Sequence, residues 1–369
     1  MRTLHVSSAT TWRGGEQQIA YLLETLALKG HQPWMLCAKG SKMEAYCIKN
    51  NIPHYIYKKL ASINPIIGKK IDLLVETLDI QLVHLHDSHA HTYACIAASL
   101  FKMNVPVILS RRVDFPIHRN PLSKWKYNHP SIKKIICVSD FIQKVMRPDI
   151  KDPSRLTVVH SGIDLKRFQN SSKISLHEEF NISKDKTIIA NVASIAPHKD
   201  YFTFVNTAEI TLQNHSDVHF FIIGGDGGEE QEIKKLIAKK GLEKKITLTG
   251  FREDITDILP GIDILLLTSK TEGLGTSLLD AQLCEVPIVA TAAGGIPEII
   301  DHEVNGLLAP PGNPPKIAVQ LERLIVSNSH RRTLAQKAKE TVKSFSKEKM
   351  TEQTILIYKA ALADVKAAL

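Results

Sequence analysis

Residues 263–300 read DILLLTSKTEGLGTSLLDAQLCEVPIVATAAGGIPEII, and this stretch decides the fold. Ile264 to Leu267 is an unbroken aliphatic run, the pattern of a strand buried on both faces of a parallel sheet. A loop carrying Glu272 and the Gly273-Leu274-Gly275 turn follows, then a helical segment with Asp280 inside it, then a second strand-like run from Ile288 to Ala290. Strand, helix and parallel strand make one βαβ unit.

The same alternation extends in both directions. Upstream in the same half, strand patterns fall at 187–193, 218–224 and 245–249; downstream they fall at 287–291 and 306–309. An earlier series falls at 3–7, 34–38, 81–85, 106–110, 134–138 and 156–160, and the polar stretch 164–186 separates the two series as a crossover. A chain of 369 residues exceeds what one core usually supports. The expected fold class is therefore α/β, with two Rossmann-like domains facing across a cleft. Expected boundaries are 1–165, 166–345 and a C-terminal helix, 346–369, that returns to the N-terminal domain and braces the two.

Composition excludes disordered, collagen-like and disulfide-dense classes, because 43% of residues are hydrophobic and 23% charged. Five scattered cysteines without CxxC spacing suggest neither a disulfide framework nor a zinc site. The opening stretch MRTLHVSSATTWRGG lacks an apolar signal region, and no apolar run reaches a membrane-spanning length. A cytoplasmic protein is expected, with a peripheral position on the inner face of the membrane as its natural variant. Residues 1–165 hold 22 Lys and Arg against 12 Asp and Glu, whereas the remainder holds 25 against 26, so the positive charge sits in the first half. An anionic partner for that half, or simply a soluble basic surface, follows. The segments NPLSKWKYNHPSIKK and YIYKKLASINPIIGKK mix Lys with Trp, Tyr and Ile, a composition suited to an anionic membrane surface or to packing on the sheet. Nucleic acid is not expected, since no RNA- or DNA-binding signature accompanies the charge.

In open α/β sheets, ligands bind beyond the carboxyl ends of the strands, so the chemistry belongs in the strand-to-helix loops. The segment FFIIGGDGGEE follows a strand, but the third glycine of a dinucleotide fingerprint would fall on Glu230, which disfavours a hydride-transfer enzyme. Gly14 and Gly15 open a helix whose apolar face is Ile19, Leu22, Leu23 and Leu26; they suit either close approach of a phosphate or a plain turn. Lys199 follows a strand near a helix start, where an ammonium would offset charge growing on a departing diphosphate. Glu272 reaches from its loop, the Gly-rich turn offers backbone N–H groups to a diphosphate, and Asp280 offers a carboxylate to a ribose diol. A solvated loop acid at Glu272 and a capping box joining Ser277 to Asp280 are the structural alternatives.

Arg111 and Arg112 lie past a strand end, where their forks suit a phosphate or carboxylate unless Asp114 or Asp87 pairs with them. The histidines of HLHDSHAH, His84, His86, His89 and His91, do not form a known metal-ligand set. No metal or cofactor is expected, and His86 is the histidine placed to face substrate.

Taken together, GGEQQIAYLLETLALKGH, VVHSGIDLKRF, NVASIAPHKD, TGFREDI, TEGLGTSLLDAQLCEVPIVATAAGGIPEII and NGLLAPPG resemble the retaining family-4 glycosyltransferases of the GT-B fold. The resemblance implies that Glu272 touches the donor hexose and Asp280 the ribose. It further implies that Gly273, Leu274, Gly275 and the amides of Thr276 and Ser277 hold the diphosphate with Lys199. Gly15 would face those phosphates from the other domain, and the backbone near Arg252 would meet the base. Three positions depart from the family pattern: Asp280 replaces the usual second Glu, Ser194 stands where an Arg is usual, and Arg112 stands where a His is usual.

The implied activity is transfer of a hexose-type sugar from a UDP- or GDP-type donor to an acceptor hydroxyl with retention. A cell-envelope glycolipid or saccharide is the expected acceptor, with Glu272 and Lys199 as catalytic residues and His86, Arg111 and Arg112 on the acceptor side. A nucleotide-sugar epimerase and a non-catalytic membrane-surface protein on the same fold are the alternatives.

Overall fold

The computed structural model describes residues 1–59, 61–117 and 121–367. Leu60, Asn120 and the last two residues of the expected C-terminal segment lie outside them. The chain divides into two compact units: Met1–Gly162 with Lys347–Leu369, and Ile163–Ser346.

The first unit holds a seven-stranded sheet. Its strands are β1 (Arg2–Ser7), β2 (Gln32–Ala38), β3 (His54–Tyr57), β4 (Leu82–Leu85), β5 (Val107–Arg111), β6 (Ile132–Cys137) and β7 (Leu156–Val158). They run in the order β3-β2-β1-β4-β5-β6-β7, and every pairing is parallel. The second unit holds β8 (Thr187–Val192), β9 (Val218–Ile223), β10 (Ile246–Gly250), β11 (Ile264–Leu267), β12 (Ile288–Thr291) and β13 (Leu307–Ala309). Their order is β10-β9-β8-β11-β12-β13, again all parallel. These are doubly wound Rossmann-like sheets, and such sheets bind ligands where the strand order reverses. That point lies between β1 and β4 in the first unit and between β8 and β11 in the second.

The second sheet forms because its central strands are almost wholly apolar. Ile264, Leu266, Phe220, Ile222, Ile189 and Val289 are fully buried in one cluster with Phe204 and Leu321 from flanking helices. Burial contributes about 1.5–3 kcal/mol for each such side chain. A strand absent from the sequence reading is β3. It is a four-residue edge strand with only Tyr57 buried, so its part of YIYKK packs on the sheet rather than lying wholly on the surface.

The last helix, Lys347–Ala367, belongs to the first unit. It buries Met350, Ile355, Tyr358 and Ala361 against Tyr21, Leu22 and Leu26 of helix Gly14–Leu28. Lys29 and Glu352 form an ion pair of 2.7 Å across that contact.

Candidate active site

Two loops meet at the switch point of the second unit. The loop after β8 ends in a turn at Pro197–Lys199, and helix Tyr201–Asn214 begins at Asp200. The loop after β11 carries Ser269 and Glu272. Thr268 Oγ1 donates to the carbonyls of Lys199 at 3.2 Å and Asp200 at 3.1 Å, and the Lys270 amide donates to the His198 carbonyl at 2.8 Å. These bonds zip the loops together and bring the Lys199 ammonium onto the Glu272 carboxylate as an ion pair. Ser269 Oγ donates to the same carboxylate oxygen at 2.7 Å. The Lys199 and Glu272 side chains are only 15% and 9% exposed, so this is no solvated loop acid. Gly294 fixes the loop from behind: its φ is +56°, and a Cβ there would lie 2.1 Å from the Glu272 carbonyl oxygen. No other residue fits that approach.

Helix Thr276–Leu283 starts directly after Glu272, Gly273 and Leu274. Its N-cap is Gly275 at φ 89°, with no side chain bonding to the helix start. Six other helices are closed by the side chains of Ser41, Asn64, Asp87, Ser139, Asn313 and Ser327, whereas helix Glu230–Lys239 also starts without such a cap. The first amides of Thr276 and Ser277 are therefore left for an external acceptor, and the helix dipole favours an anion there. Glu272, Gly273, Leu274, Gly275, Thr276 and Ser277 thus lie on one continuous turn with Lys199 beside it.

Asp280 does not close a capping box with Ser277. Its carboxylate pairs with Arg167 at 3.2 Å, a residue the sequence reading passed over. Burial pushes the Asp280 carboxyl up to about 6, with Arg167 pulling it back. The protonated form therefore fits the fold better than the ionised one. Its stabilising contribution is full below the ordinary value of 3.8 and is lost as pH rises through about 6. Between pH 7.5 and 4.5 the wild-type chain should gain about 2 kcal/mol relative to Asp280→Asn, measured by urea unfolding at the two pH values. An unchanged difference between the two proteins would show that burial does not control this carboxyl.

Arg252 spends its guanidinium on Asp254, at 2.8 and 2.7 Å, and on both oxygens of Glu179. Only its backbone remains for a ligand. Gly224 and Gly227 are required by packing, since a Cβ would lie 2.0 Å from the Ala193 carbonyl oxygen and 2.8 Å from the Ala196 Cβ, whereas Gly228 is required by its φ of +109°. Asp226 accepts from the Gly228 amide at 2.7 Å and the Glu230 amide at 3.2 Å, which places a carboxylate where a dinucleotide would need phosphate.

In the first unit, Gly15 lies in the first turn of helix Gly14–Leu28, over the Arg112 side chain. His86 is buried at the end of β4, and Arg112 Nη2 lies 3.3 Å from its Nδ1. His86 Nε2 in turn lies 3.0 Å from Nδ1 of His5, whose Nε2 lies 3.1 Å from Thr3 Oγ1. His84 joins the group, sharing hydrogen bonds with Tyr358 and Ser110. The facing nitrogens of His5, His84 and His86 lie within 4.8 Å of one another, a metal-like grouping. Each ring nitrogen is already committed to a hydrogen bond, however, and burial, followed by the neighbouring histidines and the Arg112 charge, pushes all three imidazoles toward the neutral form. Arg111 bonds Tyr127 and the Phe115 carbonyl. Among the described residues neither Arg111 nor Arg112 forms an ion pair, so pairing with Asp114 or Asp87 is not what holds them. His5 and Lys126 are further members of this region that the sequence reading missed.

Two family models match the chain: glycosyl transferases group 1 over residues 172–341 and glycosyltransferase family 4 over residues 12–167. An uncharacterized glycosyltransferase of Methanocaldococcus jannaschii is 29% identical over 315 residues, covering 82% of each chain. The N-acetyl-alpha-D-glucosaminyl L-malate synthase of Bacillus anthracis is 28% identical over 218 residues, 59% of this chain and 57% of that one. Among solved structures, Anabaena Alr3699/HepE in complex with UDP and glucose superposes with a TM-score of 0.84 at 19% identity, covering 98% of this chain and all of that one. The fold is thereby that of the GT-B glycosyltransferases.

Proposed function

We propose that this chain, which belongs to the group 1 and family 4 glycosyltransferases, transfers a hexose from a nucleoside-diphosphate donor to an acceptor hydroxyl with retention. The observation that carries the proposal is the Lys199–Glu272 pair beside the open helix start at Gly275, at the switch point of the second sheet. Diphosphate oxygens would take the amides of Thr276 and Ser277 and draw the Lys199 ammonium from Glu272. The freed carboxylate then accepts hydrogen bonds from the hexose, and Asp280 with Arg167 borders the ribose.

As the bond between the anomeric carbon and the phosphate oxygen breaks, the sugar passes through an oxocarbenium-like state. Lys199 and the helix amides stabilise the departing charge where it develops. The acceptor oxygen bonds the anomeric carbon, and its proton goes to the leaving phosphate. No metal is needed for this scheme, because the ammonium and the helix start supply the positive field.

A UDP-linked hexose is the donor we favour, since a chain of the same fold was solved with UDP and glucose. For the acceptor, one relative is named for transfer to L-malate, an anion, which accords with the basic first unit. Ile63, Ile66, Leu122 and Trp125 are exposed in the same two sequence segments as Lys58, Lys59, Lys69 and Lys124, a composition that supports peripheral contact with an anionic membrane carrying a glycolipid acceptor. No helix among the described residues is long and apolar enough to cross a membrane.

The test is incubation with UDP- and GDP-hexoses and an acceptor panel, followed by proton NMR of the product. Acceptor-dependent release of nucleotide with the donor's anomeric configuration preserved is expected. An inverted product would overturn retention, and conversion of the nucleotide sugar without any acceptor would identify an epimerase instead.

A further inference from the structure

A cavity of about 270 Å³ opens in the first unit beyond the ends of β4 and β5. Arg111, Arg112 and Lys126 all line it. Arg111 and Lys126 are only 6% and 7% exposed. Among the described residues, no carboxylate forms an ion pair with any of the three cations. Their bonds go to neutral groups: Arg111 Nη1 to Tyr127 Oη at 2.7 Å, and Lys126 Nζ to the Ser88 carbonyl at 3.0 Å and Ser88 Oγ at 2.8 Å. Among the described residues the buried Nε atoms of Arg111 and Arg112 have no hydrogen-bond partner.

Asp87 also lines the cavity, but its carboxylate is spent on the Ser8 hydroxyl at 2.7 Å and the His89 and Ala90 amides at 3.0 Å. Counted over its described lining residues, the cavity therefore carries a formal surplus of two positive charges, with the Glu16 carboxylate acting on Arg112 from outside that lining. Burying cations without counter-charge costs several kcal/mol each unless a ligand compensates them. Burial accordingly pushes Lys126 below its ordinary value and Arg112 to about 10. The remaining wall is apolar and aromatic, with Phe115, Ile117 and Leu109.

We propose that this cavity binds a phosphomonoester group of the acceptor, with Arg111, Arg112 and Lys126 as its counter-ions and the apolar wall against the adjoining carbon skeleton. A phosphomonoester carries about −1.5 to −2 charge near neutrality, which matches the surplus, and a guanidinium fork meets two of its oxygens at once. The inference deepens the transfer reading by naming the acceptor class, and it rests on that reading only for the word acceptor.

Two sources supply the same chemistry, a free phosphorylated polyol or the headgroup of a phosphorylated lipid. Calorimetric titration of the full chain with sn-glycerol 3-phosphate, and flotation with vesicles of phosphatidic acid in phosphatidylcholine, separate them. Binding in either arm is expected. It should fall at least tenfold in Arg111→Gln and in Lys126→Met, while affinity for a nucleotide sugar stays unchanged. Thermal unfolding guards against misfolding: without ligand, Lys126→Met should melt no lower than wild type, and added glycerol phosphate should raise the wild-type midpoint only.

Equal binding in wild type and both variants, or no binding in either arm, overturns the proposal. Phosphate binding without sugar transfer to any acceptor would instead leave the site standing and sink the transfer reading.

Discussion

Glu272→Gln is expected to lower acceptor-dependent transfer by about 10² to 10⁴-fold while leaving the chain folded. The amide keeps the side chain's size and an oxygen to accept from Lys199 and Ser269, so the loop that Gly294 packs against retains its shape. What disappears is the negative charge that faces the sugar as positive charge develops at its anomeric carbon. Initial rates at saturating donor, with circular dichroism on the same samples, check this. Near wild-type turnover would mean that the carboxylate serves only to hold Lys199.

Lys199→Met should cost a comparable factor, about 10² to 10³-fold in turnover, by removing the side-chain cation paired with Glu272 beside the open helix start. It should also destabilise the second unit by about 3–5 kcal/mol, because Glu272 is left as a buried, uncompensated carboxylate. The two effects separate in the double variant. Lys199→Met with Glu272→Gln removes both charges and should recover much of the stability without recovering activity. Recovery of turnover along with stability would show that the pair is structural. Urea unfolding and steady-state rates on the four proteins complete the cycle.

Much of the architecture was legible in the sequence, for a physical reason. Strands buried on both faces are apolar over most of their length, so runs such as Ile264–Leu267 and Val218–Ile223, the latter interrupted only by His219, announce themselves. The edge strand His54–Tyr57 gave no such signal because only Tyr57 needs burial. Glu272 and Lys199 could be singled out because strand ends next to glycine-rich turns are where backbone geometry exposes functional groups. Partnerships across the sheet were another matter. Arg167 meets Asp280 across more than a hundred residues, and His5 lies beside His84 because β1 and β4 pair in that register. Lys126 enters the cationic cavity from a short helix whose lysines read alike in sequence, and only one of them turns inward. Which of several similar charges is buried depends on packing, and packing is not written in local pattern.

A crystal structure of this chain with an unreacted nucleotide sugar bound tests the Lys199–Glu272 donor site directly. A diphosphate oxygen is expected within about 3 Å of Lys199 Nζ and of the Thr276 or Ser277 amide, with Glu272 on the hexose. A donor held elsewhere, with the Lys199–Glu272 pair still closed, would contradict that site.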